Sequence, residues 1–317
     1  MSQKNKKLML TLKDTQKARK NIQDLIIKTP IVPFSKNIFL KLENRQPVVN
    51  GFKIRGAANY MVSKNKENKS VITSALGTHG FAVGYVGKKL GIETTCFMPN
   101  NSPEVAIKKM KKLVDHIILT GDVFTKTEIA AEKFAKSKKT PFIHPYNDPM
   151  VIAGQGTIGL EILEQLPEVK NVYVPISGGG LASGIGLAIK SIDPKIKIIG
   201  VQPSAIHAMQ TAISKGRITT VKNKKTLAEK LAINLNLKTQ TFNLIKKYVD
   251  SFILVDEKDI RKAIKNIYQK TGEITEGSGA ITLAAALKDK KRKGLSVCVI
   301  SGGNIDKEKF KKIVGEK

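Results

Sequence analysis

Ser177-Gly178-Gly179-Gly180-Leu181-Ala182-Ser183-Gly184 follows an apolar run, Val172–Pro175, and leads into a stretch with helical spacing. A strand that turns through consecutive glycines into a helix leaves backbone amides free of Cβ bulk at the helix N-terminus. That is a cradle for an anion and suits a phosphate. Gly178, Gly180 and Gly184 also make a loose G-x-G-x-x-x-G spacing of the dinucleotide-binding kind. That fingerprint needs an acidic residue ending the next strand to hold the ribose hydroxyls. The next strand, Ile196–Val201, is followed by Gln202, so the phosphate reading is the stronger one.

Outward from this loop, short β-branched runs alternate with amphipathic stretches, the rhythm of βαβ units and a parallel sheet covered by helices. Strands are predicted at Ile38–Leu42, Val71–Thr73, Glu93–Met98, His116–Leu119, Val172–Pro175, Ile196–Val201, Phe252–Val255 and Val297–Ile300. Helical patterns cover Val123–Ala135, Gly159–Gln165, Lys258–Tyr268 and Ser278–Ala286. Four strands before residue 145 and at least three after it allow two open sheets, hence two α/β domains, which 317 residues can supply at roughly 150 per domain.

Composition narrows the function. No apolar run is long enough to cross a bilayer. Met1-Ser2-Gln3-Lys4 is basic, but Leu8–Leu12 is too short and broken for a signal-peptide core. Cys96 and Cys298 are the only cysteines, which excludes a disulfide framework and points to a cytoplasmic protein. Lys plus Arg number 55 against 26 Asp plus Glu, a net charge of +29. Such a balance raises the question of a nucleic-acid partner. However, only six of those cations are arginines (19, 45, 55, 217, 261 and 292), and tryptophan is absent. The forks and stacking rings of nucleic-acid readers are therefore scarce. The clusters at Lys108–Lys112, Lys222–Lys225 and Lys290–Lys293 read as solvated surface, and a nucleic-acid partner is not expected.

Three further loops follow strands, where ligands sit in α/β folds. In Asn50-Gly51-Phe52-Lys53-Ile54-Arg55-Gly56, Lys53 lies between two apolar residues. Partial desolvation there would depress its pKa and suit Schiff-base chemistry. Ser301-Gly302-Gly303-Asn304 is the second. The third is Thr73-Ser74-Ala75-Leu76-Gly77-Thr78-His79-Gly80, in which His79 is either an acid–base group or a structural histidine at a helix start.

Taken together, in this order and at these spacings, the four loops resemble the fold-type II pyridoxal-phosphate enzymes, with a tryptophan synthase β-like fold. Threonine/serine ammonia-lyases and serine racemase are the most similar members. The matching stretches include Lys41-Leu42-Glu43-Asn44, Phe52-Lys53-Ile54-Arg55-Gly56-Ala57, Phe97-Met98-Pro99 and Ile118-Leu119-Thr120-Gly121-Asp122. His144-Pro145-Tyr146-Asn147-Asp148-Pro149 runs into Val151–Glu161, and Glu276-Gly277-Ser278-Gly279-Ala280 and Ser301–Asp306 complete the set.

The resemblance implies pyridoxal 5'-phosphate as cofactor. It implies a large domain of residues 1–62 and 148–317, a small domain of 63–147, and no C-terminal regulatory domain. Lys53 would hold the cofactor as a Schiff base and, once released, take the Cα proton. Ser177, Gly178, Gly179, Gly180 and Leu181 would form the phosphate loop. Ser301 would bond the pyridine nitrogen, Phe52 would lie against the ring, and Thr78 would stand near the phenolic oxygen. Ala75, Leu76, Gly77, Thr78 and His79 would grip the substrate carboxylate, with Glu276 near the reacting end. The implied reaction is β-elimination on an amino acid, by a homodimer or homotetramer.

Departures from the pattern fall on the substrate side. The carboxylate loop of the family reads Ser-(Ala or Ser)-Gly-Asn-His, where this chain has Ala75-Leu76-Gly77-Thr78-His79. Gly51 stands for the serine before Phe-Lys, and Pro47–Gly51 is one residue longer than the family loop. Ala228-Glu229-Lys230 stands for Ala-Asp-Gly. Leu76 lacks the hydroxyl a racemase needs on the opposite face of Cα, so racemisation is not expected. Gln202, Ile206 and Ala208 lack the carboxylates of the racemase metal site, so no such metal is expected. A substrate other than serine or threonine, with a bulkier side chain or another leaving group, is thereby in view. Two alternatives stay open: β-replacement on the same scaffold, and a catalytically inactive relative that binds nucleic acid.

Overall fold

The computed structural model describes residues 10–64, 69–222, 224–237 and 239–315. Met1–Lys4, the first two residues of Leu8–Leu12, Asn223 in the 222–225 cluster, and the parts of the two predicted domains at 1–9, 65–68, 238 and 316–317 lie outside them.

Ten strands and twelve helices are found among the described residues. The strands are β1 (Ile31–Ser35), β2 (Ile38–Leu42), β3 (Ser70–Ser74), β4 (Glu93–Met98) and β5 (His116–Leu119). They continue with β6 (Phe142–Ile143), β7 (Val169–Pro175), β8 (Lys197–Pro203), β9 (Ser251–Val255) and β10 (Leu295–Ile300). The helices are α1 (Leu12–Ile22), α2 (Lys53–Lys64), α3 (Thr78–Leu90), α4 (Glu104–Lys111), α5 (Phe124–Ser137) and α6 (Pro149–Gln165). Then come α7 (Gly180–Ile192), α8 (Ala208–Lys215), α9 (Thr241–Tyr248), α10 (Glu257–Thr271), α11 (Gly277–Lys288) and α12 (Lys307–Val314). Among the described residues no helix is long and apolar enough to cross a membrane.

The strands make two sheets, of order β1-β2-β10-β7-β8-β9 and β5-β4-β3-β6. Every pairing is parallel except the β1–β2 hairpin. Of the four strands predicted before residue 145, Ile38–Leu42 therefore joins the large sheet and the other three join the small one. Side chains on β10 alternate between two cores. Val297 and Val299 join Ile158 and Ile162 of α6 and Ile185 and Ile189 of α7, while Cys298 and Ile300 join Ile264 of α10 and Ile281 of α11. Both faces are buried, and the strand is accordingly apolar throughout.

Three elements differ from the sequence reading. Strand β1 contains Pro33, which an edge strand tolerates because one side needs no amide donor. Strand β6 is two residues long and too short to leave a pattern. Helix α6 begins at Pro149, ten residues before the predicted Gly159. Asp148 caps it, its Oδ1 accepting from the amides of Met150 (2.7 Å) and Val151 (3.2 Å) with proline in the first turn. Its early glycines hid the period, and packing explains them: a Cβ on Gly154 would lie 2.4 Å from the Arg55 carbonyl oxygen on α2.

The strand order positions the site. Because β10, last in sequence, inserts between β2 and β7, the loops after all three leave the same sheet edge side by side. Helices α7 and α11 lie on opposite faces there, which makes it a topological switch point.

Candidate active site

The loop after β2 is zipped to the loop after β10. Gly51 and Gly302 form an antiparallel bridge. The Phe52 amide donates to the Ser301 carbonyl at 3.1 Å, and the Gly303 amide to the Asn50 carbonyl at 2.9 Å. The lengthened stretch before Gly51 is accommodated by left-handed backbone at Val48 (φ 64) and Asn50 (φ 48). For a β-branched residue such as Val48 this is a strained conformation, of the kind found beside functional loops.

In the glycine loop, the amides of Gly178, Gly179, Gly180 and Leu181 donate to no acceptor among the described residues. They converge at the N-terminus of α7. Gly179 has φ +89, and a Cβ on Gly178 would lie 2.5 Å from ring carbons of Tyr146. Thr241 at the start of α9 pins the turn, its hydroxyl donating to the Gly178 carbonyl at 2.5 Å. Unpartnered amides at a helix N-terminus fit a phosphate.

These amides face the same cavity as Phe52, Lys53, Thr78, Tyr146, Ser177, Lys230, Glu276, Ser278 and Ser301. Lys53 opens α2 and is held by a hydrogen bond from Nζ to the Pro145 carbonyl at 2.6 Å. Burial, with a smaller contribution from Lys230, lowers its pKa to about 8. An amine that is partly neutral near physiological pH fits an aldehyde. The Ser301 hydroxyl donates to the Ser278 carbonyl at 3.2 Å. Lys230 Nζ donates to Thr78 Oγ1 at 3.0 Å and pairs with Glu276. Burial raises the Glu276 carboxyl above its ordinary range although Lys230 opposes the shift.

Lys53, Phe52, Thr78, Ser177–Leu181, Ser301 and Glu276 are thus brought together around one cavity. Ala75, Leu76, Gly77 and His79 form the turn from β3 into α3 beside the cavity without lining it. His79 is buried, its Nε2 3.2 Å from the Ile143 carbonyl, and burial followed by Lys53 pushes its pKa to about 3. Burial thus favours the neutral ring. Sequence reasoning missed the cavity roles of Tyr146, Ser278 and Lys230. Tyr146 stands edge-on to His144 with ring centroids 4.5 Å apart, and the Pro-Tyr turn within 144–149 was the one available hint.

Residues 22–302 match the family described as "Pyridoxal-phosphate dependent enzyme". An L-threonine ammonia-lyase of Thermotoga maritima is 38% identical, covering 97% of this chain and 79% of that protein. A catabolic L-threonine dehydratase of Staphylococcus aureus is 38% identical, covering 94% and 90%. Among solved structures, maize serine racemase superposes with a TM-score of 0.89 at 32% identity, covering 96% of each chain. The processed threonine deaminase isoform 2 of Solanum lycopersicum gives 0.87 at 31%, covering 96% of this chain and 92% of that one. The protein is a fold-type II member of the pyridoxal-phosphate-dependent enzyme family, and its cofactor is pyridoxal 5'-phosphate.

Proposed function

We propose that the chain is an ammonia-lyase that acts by β-elimination on a hydroxylated or otherwise β-substituted amino acid. The observation that carries this is the single cavity holding both the amide nest of Gly178–Leu181 and the partly buried, weakly basic Lys53. Support comes from the threonine ammonia-lyase and dehydratase named among the relatives.

In this reading the Gly178–Leu181 amides, flanked by Ser177, would hold the phosphate, Ser301 would bond the pyridine nitrogen and Phe52 would support the ring. Thr78 would bond the phenolic oxygen, and the amides of the 75–79 turn would receive the substrate carboxylate. The cofactor, when bound, supplies an electron sink for the pair left at Cα. Lys53 anchors it and, once displaced by the substrate amine, takes the Cα proton. The pair at Cα then becomes the second bond between Cα and Cβ while the β-substituent departs with its own bonding pair, a hydroxyl taking up one proton to leave as water. The released enamine takes up one water, so that serine is converted to pyruvate and ammonia with no other reactant.

The test is release of 2-oxo acid and ammonia in equal amounts from L-serine, L-threonine and other β-substituted amino acids, with the visible absorption of the holoenzyme followed in parallel. A yellow protein inert to all of them would overturn elimination. A second expectation concerns pH. At pH 7.5 about a quarter of the Lys53 amine is neutral with a pKa of about 8, against about one part in a thousand for an ordinary lysine. The rate at which apoprotein takes up cofactor should therefore rise with pH and level off just above 8. A rise continuing towards pH 10 would show an unperturbed lysine. A cytoplasmic location is supported by two buried free cysteines, Cys96 and Cys298. Assembly as a homodimer or homotetramer rests on the resemblance and is read by light scattering.

A further inference from the structure

We propose that the substrate carries a second acidic group, a carboxylate or phosphate at or beyond Cβ, received by Lys230 and Lys109 where loops and helices from the two sheets meet. This inference rests on the elimination reading and names its substrate class.

Lys230 stands on the short turn Glu229–Leu231 beside the large sheet, at a position where the pattern this chain resembles has glycine. Its side chain pairs with Glu276 at the start of α11 and reaches across to Thr78 Oγ1 on the small-sheet loop. Lys109 on α4 crosses the other way. Its Nζ is 2.7 Å from Asn304 Oδ1 and 4.5 Å from the centroid of the Phe81 ring. Asn304 closes the network, donating from Nδ2 to Thr78 Oγ1 at 3.1 Å.

The charges do not balance. Glu276 pairs with Lys230, while half-buried Lys109 has no carboxylate within ion-pair reach among the described residues. Lys230 is close enough to matter to Lys109, whose pKa is lowered by burial and then by Lys230, with Glu276, already paired with Lys230, opposing the shift. A half-buried excess cation is costly unless an anion joins it. The substrate α-carboxylate is not needed for that purpose. The amides of Leu76, Gly77, Thr78 and His79 at the start of α3 donate to nothing among the described residues and remain free for it. The surplus therefore points to another oxyanion.

The neighbouring departures from the family pattern form one set with Lys230. A Cβ on Gly51 would lie 2.9 Å from Thr78 Cγ2, so glycine at 51 makes room for threonine at 78, which in turn accepts from Lys230.

The test uses holoenzyme and compares kcat/KM for L-serine and L-threonine with that for the L-3-hydroxyaspartates and O-phospho-L-serine. Hydroxyaspartate would lose water from Cβ and, after enamine hydrolysis, leave oxaloacetate and ammonia. Phosphoserine would lose phosphate and, after uptake of one water, leave pyruvate and ammonia. One of the two acids should exceed serine by at least about tenfold, and which one identifies the group as carboxylate or phosphate. Lys230→Met and Lys109→Met should each lower that ratio by about ten- to a hundredfold, mostly through KM, the scale of one lost hydrogen bond to a charged group. Lys230→Arg should retain most of it. A readout without turnover is titration of the visible band with L-aspartate, which has both acids and no leaving group. Its Kd should weaken at least about tenfold in Lys230→Met.

Serine or threonine turned over at least as well as both acids, with a ratio unmoved by Lys230→Met, would overturn the proposal and leave elimination standing. Lysine-dependent aspartate binding with no elimination from any substrate would keep the oxyanion site and overturn the elimination reading instead.

Discussion

Replacing Lys53 with alanine should abolish the visible absorption of the bound cofactor and lower kcat by about 10⁴-fold or more, the combined loss of a covalent anchor and a positioned base. The size of the effect follows from the lack of a substitute in the cavity. Lys230, the other amine lining it, is tied to Glu276 and Thr78. His144 is pushed to about 3 by burial and by Lys53. Its Nδ1 accepts from the amides of Tyr146 (3.2 Å) and Asn147 (3.1 Å), so it is neither charged nor free to take a proton. The fold should not suffer. A lysine whose pKa is lower in the folded protein disfavours folding, fully below pH 8 and not at all above the ordinary lysine value. The thermal midpoint of the Lys53→Ala apoprotein should therefore match or exceed the parent's at pH 7, with the difference gone by about pH 11. Partial return of elimination on adding a small primary amine would separate a chemical role from a structural one. No return, together with a lowered midpoint, would mark Lys53 as structural.

What the sequence disclosed and what it hid divide along physical lines. Strands such as Glu93–Met98 and Val297–Ile300 were legible because apolar runs of that length bounded by turns have few other uses. The glycine loop and Ser301–Asn304 were legible because tight backbone geometry at strand ends demands particular residue types. Lys230 and Lys109 were not, since a lysine in a lysine-rich chain looks like surface until the fold brings loops of the two sheets together. Tyr146 was hidden for a related reason. Its ring fills the space that Gly178 leaves open, and the two are 32 residues apart, brought together by the packing of α6 against α7. The sequence marked which loops carry chemistry, and the partners of those loops waited on topology.

Arg55→Met should destabilise the apoprotein by about 3–5 kcal/mol, the usual result of removing one partner from a buried ionic cluster. Arg55 is wholly buried two residues beyond Lys53. Each of its five N–H donors has an acceptor: two on Glu43 (2.7 and 2.8 Å), two on Glu161 (2.7 and 2.9 Å), and Thr157 Oγ1 at 3.1 Å. Lys41, also buried, bonds Glu161, the Thr29 carbonyl and Gln165. Two cations thus face two carboxylates drawn from β2, the turn after it, α2 and α6. Methionine fills much of the volume and returns none of the charge, leaving Glu43 with the Thr29 hydroxyl and a more distant Lys41. The pH dependence identifies the cause. In the parent, burial is the largest influence and pushes the Glu43 pKa up, but Arg55, Lys41 and the Thr29 hydroxyl together outweigh it and hold the group below its ordinary range. Its contribution to stability is then present at neutral pH and lost as pH falls through that depressed value. In Arg55→Met burial dominates and the pKa rises above the unfolded value, so the variant gains stability on acidification from pH 8 to about 5 while the parent does not. Urea unfolding at both pH values measures the gap, which should narrow at pH 5. Adding Glu43→Gln to Arg55→Met should recover part of the loss. A deficit below about 1 kcal/mol, or one equal at both pH values, would mean the cluster does not hold α2, and with it Lys53, in place.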